Sequence, residues 1–260
     1  MSLTRRAFLK LGSATVVSLP FSRYSTAAVV NVPVLMYHDI SYQQREEETV
    51  SPSLFAAQME WLYGAGYRAI AFEEIGSLDA ESMKQAVIIT FDDGYASFMD
   101  YAFPLFTEYG FKSTINIIGK HTGGFISGDD PRLSWDECRF LIKSGIVELG
   151  CHTYDLHAWY GTLSRAGAIT AVNKRLPQDL AMFQKVYTEE LGRPANILAW
   201  PYGRYDDKSI EIAKRAGFRF ILSSNHRYFM PDGSHSDIPR FTIDNNAPLS
   251  LFRKILERRR

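Results

Sequence analysis

Hydrophobic positions along this chain fall into short continuous runs separated by stretches of helical period. Residues 32–37, 86–91, 113–118, 146–150, 196–200 and 218–223 are rich in β-branched and aromatic side chains. That composition predicts strands, with a shorter one at 68–71. Between and after them, residues 53–63, 95–109, 134–144, 178–191, 207–216 and 249–258 predict helices. Ser51 or Ser53 caps the first beside Pro52, and Ser134-Trp-Asp-Glu137 opens another with a capping box. The strands are apolar throughout rather than alternately polar, as expected of a parallel sheet covered on both faces.

About seven strands alternating with helices fit either an open doubly wound sheet or a closed barrel. No Gly-x-Gly-x-x-Gly follows the first strand, so a dinucleotide fold lacks its fingerprint. Polar residues stand just past many strand ends: His38, Asp92-Asp93, His152, Tyr202 and Arg240. Sites assembled from several strand ends belong to the C-terminal face of a parallel β/α barrel, which is the fold predicted here.

Composition narrows the chemistry. Among 260 residues, 46% are hydrophobic, enough for a core, and 29 basic side chains balance 29 acidic ones. Neutrality argues against a nucleic-acid partner. Residues 1–28 read as an address: Arg5-Arg6-Ala7-Phe8-Leu9-Lys10 precedes a short apolar run and then Ser25-Thr-Ala-Ala28. This resembles a twin-arginine export signal; an ordinary secretory signal or an uncleaved anchor is the alternative. Processing would leave residues 29–260, with no integral membrane span and a net charge of −4, since four of the basic groups and no acidic ones lie in 1–28. Beyond the membrane, Cys138 and Cys151 either pair or remain buried thiols.

Thr90-Phe-Asp-Asp-Gly94 ends the most hydrophobic strand, where two adjacent carboxylates need a positive partner or a helix to cap. His152-Thr-Tyr-Asp-Leu-His157 follows another strand. With a strand-end aspartate, two histidines leave coordination positions open, the pattern of a catalytic metal site. Trp200-Pro-Tyr-Gly203 ends a third strand, as a plain turn or as a loop aiming an N–H at an oxyanion.

These three motifs, in this order and spacing, resemble the polysaccharide deacetylases of the NodB-homology type (carbohydrate esterase family 4), over about residues 32–243. The resemblance implies a distorted (β/α)7 barrel that hydrolyses N-acetyl groups on amino sugars with a divalent metal: zinc, or alternatively cobalt or nickel. It implies Asp93, His152 and His157 as metal ligands, Asp92 as general base and the Tyr202 N–H in the oxyanion hole. The histidines stand five apart where most members space them four apart, Leu198-Ala-Trp200 stands just before Pro201-Tyr202 where many members have an arginine, and no histidine follows His235 for the usual C-terminal acid. The wider pair, Met36-Tyr-His-Asp-Ile40 and Ile238-Pro-Arg240 resemble the branch acting on poly-β-1,6-N-acetyl-D-glucosamine. With the usual arginine missing, Arg240 is expected to reach and orient Asp92, the alternative being a surface arginine. With the C-terminal histidine missing, His38, with Asp39 beside it, is expected to supply the acid, the alternative being a buried histidine bonded to backbone. Tyr154, Trp159, Tyr202 and Tyr205 are candidates for stacking on sugar rings, while His226 and His235 read as surface. Chitin oligomers, peptidoglycan or a cyclic imide are alternative substrates. A non-catalytic glycan-binding module is a different class, and so is a glycosidase, which needs two carboxylates across the scissile bond and gives the histidines no role.

Overall fold

The computed structural model describes residues 30–43, 48–124, 131–163, 169–231 and 233–258. The export-signal reading of residues 1–28 lies outside them. Strands β1 (Val34–Tyr37), β2 (Arg68–Ala69), β3 (Ala86–Asp93), β4 (Ser113–Ile117), β5 (Val147–Cys151), β6 (Ile197–Ala199), β7 (Phe220–Leu222) and β8 (Phe241–Thr242) form one parallel sheet. Its order is β7-β6-β5-β4-β3-β1-β8, with β2 paired to the first residues of β3. The sheet curls until its edges meet: Leu222 of β7 bridges Ile238, three residues before β8 pairs with β1. Ser223 N–H donates to the Ile238 carbonyl at 2.8 Å, and Ile238 N–H to that of Ile221 at 2.8 Å. The predicted barrel of parallel strands is the fold, distorted where this narrow seam closes it.

Strand parity divides the core. Val34, Ile88, Ile197, Ala199, Phe220 and Leu222 fill the inside, while Leu35, Tyr37, Val87, Ile89, Phe91, Leu198 and Ile221 pack outward in a separate cluster that includes the helices. Both parities are apolar, which is why the strands read as unbroken hydrophobic runs. The turn Phe72–Ser77 plugs the lower end, with Phe72 and Ile75 in the inner cluster and the Phe72 N–H donating to Glu148 at 3.0 Å.

Helices α1 (Pro52–Gly64), α2 (Ala80–Met83), α3 (Phe103–Tyr109), α4 (Trp135–Ser144), α5 (His157–Gly161), α6 (Ile169–Leu191), α7 (Asp207–Arg215) and α8 (Leu249–Glu257) complete the chain. Ser51 is the α1 cap, and the Ser134–Glu137 capping box forms as expected. Two helices depart from the sequence reading. α6 begins nine residues before the expected start and carries Pro177 inside it, because Val172, Leu176, Leu180, Phe183 and Tyr187 bury one continuous stripe through the proline. The helix expected over 95–109 opens instead with a wide π-turn at Phe98–Ala102. Pro104, in the next turn, has no N–H to give the carbonyl of Asp100. Both cysteines are buried free thiols; Cys138 lies on α4 and Cys151 on β5.

Candidate active site

The strand ends of β1, β3 and β5, the loop after β6 and the β8 segment surround a cleft of about 480 Å³ lined by His38, Asp92, Asp93, His152, His157, Tyr202 and Arg240, among others. Parity brings most of them there. Thr90 and Asp92 continue the inward row of β3, Thr114 and Asn116 that of β4, and Glu148, Gly150 and His152 that of β5.

Asp92 is 2% exposed and Arg240 0%. The guanidinium grips the carboxylate with both terminal nitrogens: Nη1 donates to Oδ1 and Nη2 to Oδ2, each at 2.8 Å. Its Nε donates to the Ser223 carbonyl at 2.9 Å and Nη1 also reaches Thr90 Oγ1 at 3.1 Å, so the fork cannot rotate away. Asn116 Nδ2 adds a third bond to Asp92 Oδ1 at 2.8 Å. Burial alone pushes the Asp92 carboxyl up; the Arg240 charge, then His152, outweighs it and holds Asp92 well below the usual carboxylate range. The pairing thus favours the ionised carboxylate, and Oδ2 keeps a lone pair for an incoming proton.

Asp93 breaks strand parity. The residue after an inward side chain should point outward, yet Asp93 has φ 71° and turns back into the cleft. Thr153 (φ 71°) and Tyr202 (φ 56°) are the other non-glycine residues with positive φ among those described, so backbone strain collects after three strands at this one site. His152 Nε2 stands 3.4 Å and His157 Nε2 3.2 Å from Asp93 Oδ1. His152 Nδ1 donates to the Ala199 carbonyl at 2.9 Å, which leaves the Nε2 lone pair facing the carboxylate. Burial pushes the His152 imidazole down to about 4, keeping it neutral.

This donor set fits a metal. One atom from each of Asp93, His152 and His157 lies within 4.8 Å of the others, and buried Asp93 Oδ1 lacks a hydrogen bond of good geometry. Two imidazole nitrogens and one carboxylate oxygen suit zinc, cobalt or nickel and leave positions open.

Residues 79–221 match the family of polysaccharide deacetylases. The chain belongs to the polysaccharide deacetylase family. As a polysaccharide deacetylase it is a hydrolase. A poly-β-1,6-N-acetyl-D-glucosamine N-deacetylase of Staphylococcus aureus (strain MSSA476) is 25% identical over 241 residues, covering 92% of this chain and 82% of that one. The Bacillus subtilis protein YxkH is 27% identical over 202 residues, which are 76% of this chain and 66% of YxkH. In fold, the deacetylase superposes on IcaB from Ammonifex degensii with a TM-score of 0.74 (22% identity; 88% of this chain, 97% of that one). A de-N-acetylase from Aggregatibacter actinomycetemcomitans gives 0.73 (22%; 86% and 99%).

All seven site residues singled out from the sequence line this one cleft. Several neighbours behave differently from expectation. The Asp39 carboxylate accepts the Ser97 hydroxyl at 2.7 Å. Asp92 and Asp93 share the cleft, and the convergence of both histidines on Asp93 gives that carboxylate a role a glycosidase does not need. Tyr202 lays its ring against His157 (centroids 5.0 Å apart), Trp159 lies under the Arg175 guanidinium, and Tyr205 stacks on Trp200. His226 is exposed as expected, but His235 is half-buried against Phe220 and Phe229. Sequence reading missed Asn116, although a lone amide in the apolar run Thr114-Ile-Asn-Ile117 signals a satisfied inward contact. It also missed His121 and Arg132, which line the cleft from loops without any motif.

Proposed function

We propose that this deacetylase removes N-acetyl groups from an N-acetylglucosamine polysaccharide, poly-β-1,6-N-acetyl-D-glucosamine in particular, using a divalent ion at Asp93, His152 and His157. The observation that carries the reading is the pair of adjacent constellations: Asp92 held ionised by Arg240 and Asn116, and Asp93 facing two imidazole nitrogens. The name of the S. aureus relative supports the β-1,6 linkage, and the arginine pair at Arg5-Arg6 supports work outside the cytoplasm after twin-arginine export.

Amide hydrolysis needs a better nucleophile than water and a better electrophile than an amide. The ion, when bound, supplies Lewis acidity for both. Asp92 Oδ2 takes the proton of the attacking water, and the Arg240 fork with Asn116 fixes the direction of that lone pair. The Tyr202 backbone N–H supports the negative charge that develops on the acetyl oxygen. His38, on the cleft wall at the end of β1, delivers a proton to the departing nitrogen. The C–N bond breaks, releasing acetate and leaving a free amine on the sugar.

Acetate release from β-1,6- and β-1,4-linked N-acetylglucosamine oligomers, after reconstitution with zinc, cobalt or nickel, tests this reading. The expected result is metal-dependent release with β-1,6 oligomers preferred. Preference for β-1,4 oligomers moves the substrate to chitin or peptidoglycan, and binding without release from any oligomer overturns the enzymatic reading.

A further inference from the structure

The loop between the two histidines, residues 153–156, is tied down through its backbone on two sides. The carbonyls of Thr153 and Tyr154 accept the N–H groups of Gly119 (3.1 Å) and Lys120 (2.9 Å), just past β4. On the other side, the N–H groups of Tyr154 and Asp155 both donate to one carboxylate: Tyr154 to Asp179 Oδ1 and Asp155 to Asp179 Oδ2, each at 2.8 Å. Asp179 sits on α6, on the face bearing Leu176, Leu180 and Phe183, which the core anchors. Gly119 has no room for a Cβ, which would run into the Tyr154 ring and Phe183. The loop therefore wraps a half-buried carboxylate, and its other end delivers His157 to Asp93.

We propose that Asp179 is a positioning residue for the metal: by gathering the N–H groups of Tyr154 and Asp155, it bends the five-residue His152–His157 step so that both imidazoles converge on Asp93. This rests on the metal-site reading above. A carboxylate is suited to the task because it accepts two N–H groups with two equivalent charged oxygens, whereas an amide offers one acceptor. Asp179 touches neither substrate nor metal, so its effect runs through His157.

The test is Co(II) binding to the full protein by wild type, Asp179→Asn, His157→Ala and the double variant, read as affinity and as the visible d–d spectrum. Wild type should bind one Co(II). Asp179→Asn should bind it about 10-fold or more weakly with an altered spectrum, within the reach of outer-shell partners. In the His157→Ala background, Asp179→Asn should cost no further affinity, because the lever it moves is gone. Wild-type affinity and spectrum in Asp179→Asn, or fully additive losses in the double variant, overturn the proposal while leaving the metal site standing. No Co(II) bound by wild type instead overturns the metal-site reading itself. If Asp179→Asn does not fold, Asp179→Glu takes its place: it keeps both oxygens but shifts their reach by a methylene, and an unchanged spectrum and affinity there count against the proposal.

Discussion

At the residue scale, this site is two carboxylates with different assignments set by their neighbours. Asp92 has Arg240 and Asn116 as donors on its two oxygens, whereas Asp93 faces two ring nitrogens. Asp92→Asn should therefore keep its metal and lose turnover by about 10²–10⁴-fold, the usual scale for a lost general base, measured as acetate release beside metal content. His38→Ala should cost turnover on the same scale of about 10²–10⁴-fold with metal content intact. Arg240→Met probes the pairing directly. Removing one partner of a buried pair leaves an uncompensated charge, at about 3–5 kcal/mol. The sign with pH follows. In wild type the Asp92 carboxyl lies below its unfolded value, so its stabilising contribution is present above the unfolded value and lost only as pH falls through the depressed one. Without Arg240, burial dominates and raises it above the unfolded value, so the variant loses stability as pH rises. The melting-temperature gap between wild type and Arg240→Met should widen from pH 4 to pH 7; a constant gap would mean the arginine acts by packing alone.

At the scale of elements, β4 and β5 are fitted to each other around the Asn116 amide. Gly150 lies opposite Asn116 in the parallel register, and a Cβ there would collide with Asn116 Oδ1 and crowd Ile197. Gly150→Ala should cost about 1–3 kcal/mol from overpacking and should lower turnover by loosening Asn116 from Asp92. Chemical denaturation and acetate release together check it; a stable variant of full activity would show that the amide has room to move. Element boundaries were legible where capping chemistry marked them, at Ser51 and Ser134. They were illegible at α6, because a proline inside a helix is disfavoured locally and tolerated here only by a buried stripe that tertiary packing creates. β8 was not foreseen at all: two residues, Phe241 and Thr242, carry no periodicity, and their pairing with β1 is a long-range event.

At the scale of the whole molecule, a metal held by Asp93, His152 and His157 would tie together the ends of β3 and β5, so its binding should stabilise the fold as well as permit turnover. Chelation should abolish acetate release and lower the melting temperature. A ligand at 100 times its Kd contributes about 2.7 kcal/mol, or roughly 5–11 °C for a domain of this size. An unchanged melting temperature on chelation would show that the ligands are held in place without the ion. Sequence alone determined a parallel sheet covered on both faces, since its strands are uninterrupted apolar runs alternating with helices, and the polar residues past several strand ends pointed to the barrel rather than an open sheet. It also determined which side chains cluster, because Asp92, His152 and His38 stand at or just beyond strand ends that a parallel barrel must gather on one rim. Only the tertiary structure decided how they are aimed. Strand parity would send Asp93 away from the cleft, and the positive φ that returns it is stable only because the surrounding contacts hold it. Arg240 meets Asp92 across 148 residues, through a seam that forms when the curled sheet closes. Such contacts depend on loop closure and packing over the whole chain, and no local pattern of residues encodes them.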